Sequence, residues 1–98
     1  MAKRLILNED TIFKKNPDIQ AIHTDEGIII SRGNLSEEVI YYLDNRAACK
    51  IWNLINEGNS LKRITQNLLS EFEVVESKIK RDLKEFIKRL YLKKLISV

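Results

Sequence analysis

The apolar positions of this chain follow two different rules. From residue 45 onward they recur every three or four residues; before it they come in short β-branched runs broken by glycine and turn formers. Ala47, Ala48, Ile51, Trp52 and Ile55 form one stripe of a helix, and Asn45 can cap it by accepting from the free amides of the first turn. The stripe stops at Asn56-Glu57-Gly58-Asn59, where Gly58 supplies the left-handed backbone that ends a helix at little cost. Ser60 is placed to cap a second helix with apolar Leu61, Ile64, Leu68, Leu69 and Phe72. A third helix, from Val75 to about Lys94, would bury Ile79, Leu83, Phe86, Ile87 and Leu90. Three short-linked amphipathic helices around one Trp predict a small helical core.

The N-terminal part reads as strands. Leu5-Ile6-Leu7 is a short candidate, followed by Asn8-Glu9-Asp10 as a turn, and Pro17 excludes a central strand position. Ile19 to His23 is a strand candidate, Thr24-Asp25-Glu26-Gly27 a turn, and Ile28-Ile29-Ile30 the next strand. Arg32-Gly33-Asn34 signals a second turn. Val39-Ile40-Tyr41-Tyr42-Leu43 is the third strand, although Ser36-Glu37-Glu38 could instead start a helix running through Leu43. The expected fold is α+β: a three-stranded antiparallel sheet followed by three helices, winged-helix-like, in a single domain over residues 1–98. Such a sheet cannot cover both of its faces, so one face should pack on the helices.

Composition narrows the class without naming a function. The chain has 98 residues, 44% hydrophobic and 32% charged, which is ordinary for a soluble globular domain. No run approaches the ~18 apolar residues of a membrane span, and the N-terminus lacks a signal-peptide pattern. Cys49 is the only cysteine, so no internal disulfide can form; a cytoplasmic location is expected. Net charge is +3, unevenly spread: residues 1–44 carry five basic and eight acidic side chains, residues 75–98 eight basic and three acidic. The third helix is therefore the positive element. Its charge is either a solvated face or the mark of an anionic partner.

The materials of catalysis are scarce. One His and one Cys supply neither a metal quartet nor a recognisable thiol–imidazole pair, and three scattered glycines make no phosphate-cradling loop. Asp25-Glu26 and Glu37-Glu38 read as solvated turn charges, and Cys49 as a packed thiol among small residues. No enzyme activity and no cofactor are expected.

Two binding chemistries stay open. Helix two, the connection at Glu73-Val74 and helix three have the layout of a helix-turn-helix, with Lys78, Lys80, Arg81 and Lys84 near the start of a recognition helix. A winged DNA-binder normally adds a β-hairpin there, and Leu95-Ile96-Ser97-Val98 are too few for one, so nucleic acid is not the expected partner. The other resource is an edge strand. Its unpaired N–H and C=O groups can accept an extended peptide as a further strand, and Val39, Ile40, Tyr41, Tyr42 and Leu43 are β-prone enough to provide it. The same edge could pair with its own copy to make a homodimer.

The helical part also carries a family pattern. Asn45, small Ala47 and Ala48, Ile51-Trp52, Leu54-Ile55, Gly58, Ile64 and Leu68, then Leu83, Phe86, Leu90 and Leu95-Ile96, resemble the PqqD-like family. One departure is Asp44, where the family usually has an apolar residue; Leu43 would serve in its place. The resemblance implies a recognition element for a ribosomally made, post-translationally modified peptide (RiPP). It implies binding of a precursor's leader segment, and delivery to a peptide-modifying enzyme such as a radical S-adenosylmethionine maturase. It further implies that the leader adds beside the third strand, at Ile40, Tyr41, Tyr42 and Leu43, and lies along the third helix. The helix side would be drawn from Lys80, Lys84, Ile87, Lys88 and Tyr91, which recur every three or four residues. For Ile87 and Tyr91, ordinary core packing is the competing reading.

Overall fold

The computed structural model describes residues 7–32 and 39–98. In chain order they form β1 (Lys14–Lys15), β2 (Ile19–His23), β3 (Ile28–Arg32), β4 (Val39–Leu43), α1 (Arg46–Asn56), α2 (Leu61–Glu71), α3 (Glu76–Leu92) and β5 (Ile96–Ser97). The fold is thus α+β, with an antiparallel sheet of order β2-β3-β4 followed by three helices. The possible helix through Leu43 gives way to strand β4. Of the expected strand at Leu5-Ile6-Leu7, residues 5 and 6 lie outside the described part, and Leu7 belongs to no strand. The expected turn after Arg32 also lies outside it, and Arg32 itself closes β3.

Register sorts the sheet residues into two faces. Ile22 stands opposite Ile29, Ile29 opposite Tyr42, and Ile28 opposite Leu43. Ile19, Ile28, Ile30 and Leu43 are buried and face the helices. Pairing of β3 with β4 shifts between Ile30 and Ser31, whose partners are Tyr41 and Val39. That leaves Ile40 as the extra residue of a β-bulge, a device common at sheet edges.

α1 and α2 begin at the caps that their sequences supply. The Asn45 side chain accepts from the Ala48 amide at 2.7 Å. Gly58, at φ +82°, closes α1, with its N–H donating to the Ile55 carbonyl. At the start of α2, Ser60 accepts from Arg63, while the Leu61 and Lys62 amides donate to the carbonyls of Thr11 and Glu9. The N-terminal segment thereby satisfies two donors that a helix start leaves free.

α3 stops two residues earlier than its periodicity suggests, because Lys94 turns into the left-handed region at φ +59°. The Leu95 amide reaches back to the Leu90 carbonyl, a Schellman closure that usually employs glycine. The turn sends Leu95 and Ile96 into the core, where both are almost wholly buried. It also sets β5 antiparallel to β1, a pairing with no sequence signal beyond two lysines. Arg32 locks this corner, bonding Asp18 at 2.7 Å and donating to the Lys93 and Lys94 carbonyls. Left-handed backbone costs a non-glycine residue about 1–2 kcal/mol, part of which glycine's extra unfolded-state entropy cancels. Lys94→Gly should therefore stabilise the protein by ~0.5–1 kcal/mol in denaturant unfolding.

The core is continuous. Phe13 from the N-terminal segment, the inner sheet residues, Ile51, Trp52 and Ile55 of α1, Ile64 and Leu68 of α2, and Leu83, Ile87 and Leu90 of α3 belong to one cluster. Among the described residues no helix is long and apolar enough to cross a membrane.

Candidate functional site

β4 is an edge. Among the described residues it pairs with β3 alone, so one side of its backbone has no strand partner. Alternation along it sets Leu43 inward and buried, Tyr42 outward and 39% exposed, and Tyr41 inward and half-buried against α3. The Tyr41 ring lies 6.5 Å from that of Phe86. Arg89 donates to the Tyr41 hydroxyl at 3.3 Å, and the Lys93 ammonium sits 5.4 Å from the Tyr41 ring centre. The hydroxyl contact pushes the Arg89 pKa up. A strand edge that is free among the described residues thus runs alongside a helix flank made of Phe86, Arg89 and Lys93.

Phe86 also borders an apolar depression of about 340 Å³ between α1 and α3, lined by Ala47, Ile51, Leu68, Phe72 and Ile79 among others. Its rim carries Lys78 and Asp82, paired at 2.6 Å, and the Lys78 contact pulls the Asp82 carboxyl below its usual range.

The helix residues expected from the family pattern occupy other positions. Ile87 has no exposed surface and belongs to the core, so it offers nothing to a ligand. Lys80 and Lys84 line a separate depression of about 240 Å³ with Leu7, Leu61 and Leu69, on the opposite flank of the buried stripe Ile79, Leu83, Ile87, Leu90. Lys88 is exposed, and Tyr91 packs half-buried against the core. None of the described contacts joins these five residues to β4. The residues that do meet the strand, Phe86, Arg89 and Lys93, share the same three- and four-residue spacing. Periodicity therefore could have found them, but it cannot say which flank of a helix faces a strand.

Other reactive groups are occupied structurally. Cys49 is half-buried and donates to the Leu43 carbonyl at 3.3 Å, and burial pushes its thiol pKa up. His23 Nε2 lies 3.1 Å from the Asn53 side-chain oxygen and ties β2 to α1.

Comparison with known proteins adds a family to this geometry. The model of the family Coenzyme PQQ synthesis protein D (PqqD) matches residues 35–96, well over half of the chain. The chain belongs to the PqqD family. The match takes in β4, all three helices and the start of β5, the elements that build the groove. No curated protein matches the PqqD-family chain. Among solved structures it is similar to lasso peptide synthetase B1 complexed with the leader peptide, at 26% identity and a TM-score of 0.76, covering 90% of this chain and 100% of that one. It is also similar to TbiB1 in complex with the TbiA(beta) leader peptide, at 24% identity and a TM-score of 0.75, covering 86% and 94%.

Proposed function

We propose that this PqqD-family chain binds the leader segment of a ribosomally made precursor peptide by adding it as a strand to β4. It would hold the peptide, in the cytoplasm, for a separate modifying enzyme such as a radical S-adenosylmethionine maturase. The chain itself would perform no chemistry and carry no cofactor. The observation that carries this reading is the β4 edge, unpaired among the described residues, beside Phe86, Arg89 and Lys93. Two solved neighbours bind leader peptides, which supports it.

The energetics are adequate. Four or five ladder bonds at a net ~1 kcal/mol each, with one or two buried apolar anchors at ~1.5–3 kcal/mol each, offset the cost of ordering the peptide. Micromolar to high-nanomolar affinity follows. The backbone of Val39, Ile40, Tyr41, Tyr42 and Leu43 would supply the ladder. Arg89 and Lys93 would favour an acidic residue on the inward side, and Phe86 an apolar one. Lys80, Lys84, Lys88 and Tyr91 would act only if the peptide continues around α3. Nucleic acid is the weaker reading, because two lysines of the would-be recognition helix are engaged locally. Lys78 pairs with Asp82 and Lys80 with Glu76.

The test uses leader peptides synthesised from short reading frames neighbouring the gene, with amide-shift mapping and calorimetry. Val39–Leu43 amides should move on binding. Tyr42→Pro, which constrains the strand backbone and deletes a donor, should weaken binding far more than Tyr42→Phe. Shifts confined to α1 and α2, with the β4 amides unmoved, would sink the proposal.

A further inference from the structure

The outer face of the sheet is not the polar surface that an exposed antiparallel face usually shows. Ile22, Ile29 and Tyr42 stand opposite one another across β2, β3 and β4 and form one apolar row. Ile22 is 52% and Tyr42 39% exposed, and Ile29 is half-buried between them. The row ends at Tyr42, on the strand whose far side has no partner among the described residues. Beside it, Asp25 and Glu26 share an open depression with Ile29 and Tyr42. Neither carboxylate has an ion-pair partner among the described residues.

A strand added to β4 extends this row by one place. Directly opposed residues of neighbouring strands point to the same face with Cβ atoms about 5 Å apart. The peptide residue opposite Tyr42 must therefore project outward, in line with Ile29 and Ile22. We propose that the peptide is read on this outward face as well as in the inner groove. The position opposite Tyr42 takes an aromatic or β-branched residue, and a Lys or Arg two positions away on the same face meets Asp25 and Glu26. This rests on strand addition at β4. It makes Tyr42 a specificity residue through its ring, beyond the backbone it lends to the ladder. The peptide becomes two-faced, apolar and basic outward, apolar and acidic toward Phe86, Arg89 and Lys93.

The experiment selects binders from a displayed library of random peptides, each longer than one strand of about five or six residues, against the full chain. Selected peptides are then mapped by amide shifts. Those that move the Val39–Leu43 amides should share an aromatic or β-branched residue, with Lys or Arg two positions from it. Tyr42→Ser should weaken them about fivefold, the size of a strong cross-strand pair, and Tyr42→Ile should restore most of the loss. Asp25→Asn with Glu26→Gln should abolish the preference for the basic residue when selection is repeated. Binders that move the β4 amides without any outward apolar preference, or that keep their affinity for Tyr42→Ser, overturn the outward subsite and leave strand addition standing. Binders that leave the β4 amides unmoved overturn both.

Discussion

Trp52→Ala is expected to lower the free energy of unfolding by about 3–5 kcal/mol, the range for removing a large aromatic from a close-packed core. Trp52 has no exposed surface and lies on the inner stripe of α1 with Ala48, Ile51 and Ile55. It belongs to the same cluster as Phe13, Ile28, Ile64 and Leu90, so its loss opens a cavity touching both the sheet and the other helices. The indole Nε1 is buried and has no hydrogen-bond partner among the described residues. Trp52→Phe therefore loses volume but also removes an unsatisfied donor, and should cost less than about 1.5 kcal/mol. Denaturant unfolding of both variants checks the pair. A Trp52→Ala loss under 1 kcal/mol, on the order of a surface change, would contradict a shared core.

Gly27→Ala is expected to destabilise by about 2–4 kcal/mol, from positive-φ strain together with overpacking. Gly27 follows the turn between β2 and β3, at φ +157°, with Thr24 and Gly27 exchanging backbone hydrogen bonds. A Cβ there would lie deep inside contact distance of the Leu43 carbonyl oxygen and close to the Asp44 Cα, 3.2 Å away. Both obstacles are backbone, so no side-chain rotation relieves them. The end of β4 must move instead. Loss of stability should come with loss of peptide affinity, since the displaced residues belong to the proposed ladder. Unfolding by denaturant and amide shifts at Tyr42 and Leu43 would register the two effects. Gly58→Ala is the contrast: Gly58 has open space around it, so only its left-handed backbone is penalised, by ~1–2 kcal/mol.

The proposed site was partly legible in the residues. The strand that forms the edge was marked by Val39, Ile40, Tyr41, Tyr42 and Leu43, β-branched and aromatic residues that suit a pleated, half-buried surface, although a helix through Leu43 also fitted the residues. The helix flank was not. Lys80, Lys84, Lys88 and Tyr91 on one side of α3 and Phe86, Arg89 and Lys93 on the other have equally good helical spacing. Ile87 shows the limit in reverse: the apolar stripe already placed it with Ile79, Leu83 and Leu90, and the structure leaves it no exposed surface.

By itself the sequence determined the elements with local causes. The Asn45 and Ser60 caps, the Gly58 stop, the Asp25-Glu26 turn and the apolar stripes of the three helices depend on neighbours within four residues. Each was set by backbone sterics, by free amides seeking acceptors, and by the 3.6-residue period. The tertiary structure alone decided what depends on distant partners. Lys14–Lys15 became a strand only because the Lys94 turn brought Ile96–Ser97 beside it. Ile22, Ile29 and Tyr42 became one row only through register, since strands separated in sequence share a face according to which residues pair. The flank of α3 that meets β4 was fixed by how the helix rolled to bury Ile79, Leu83, Ile87 and Leu90 against the sheet and the other helices, a choice made by the whole core at once.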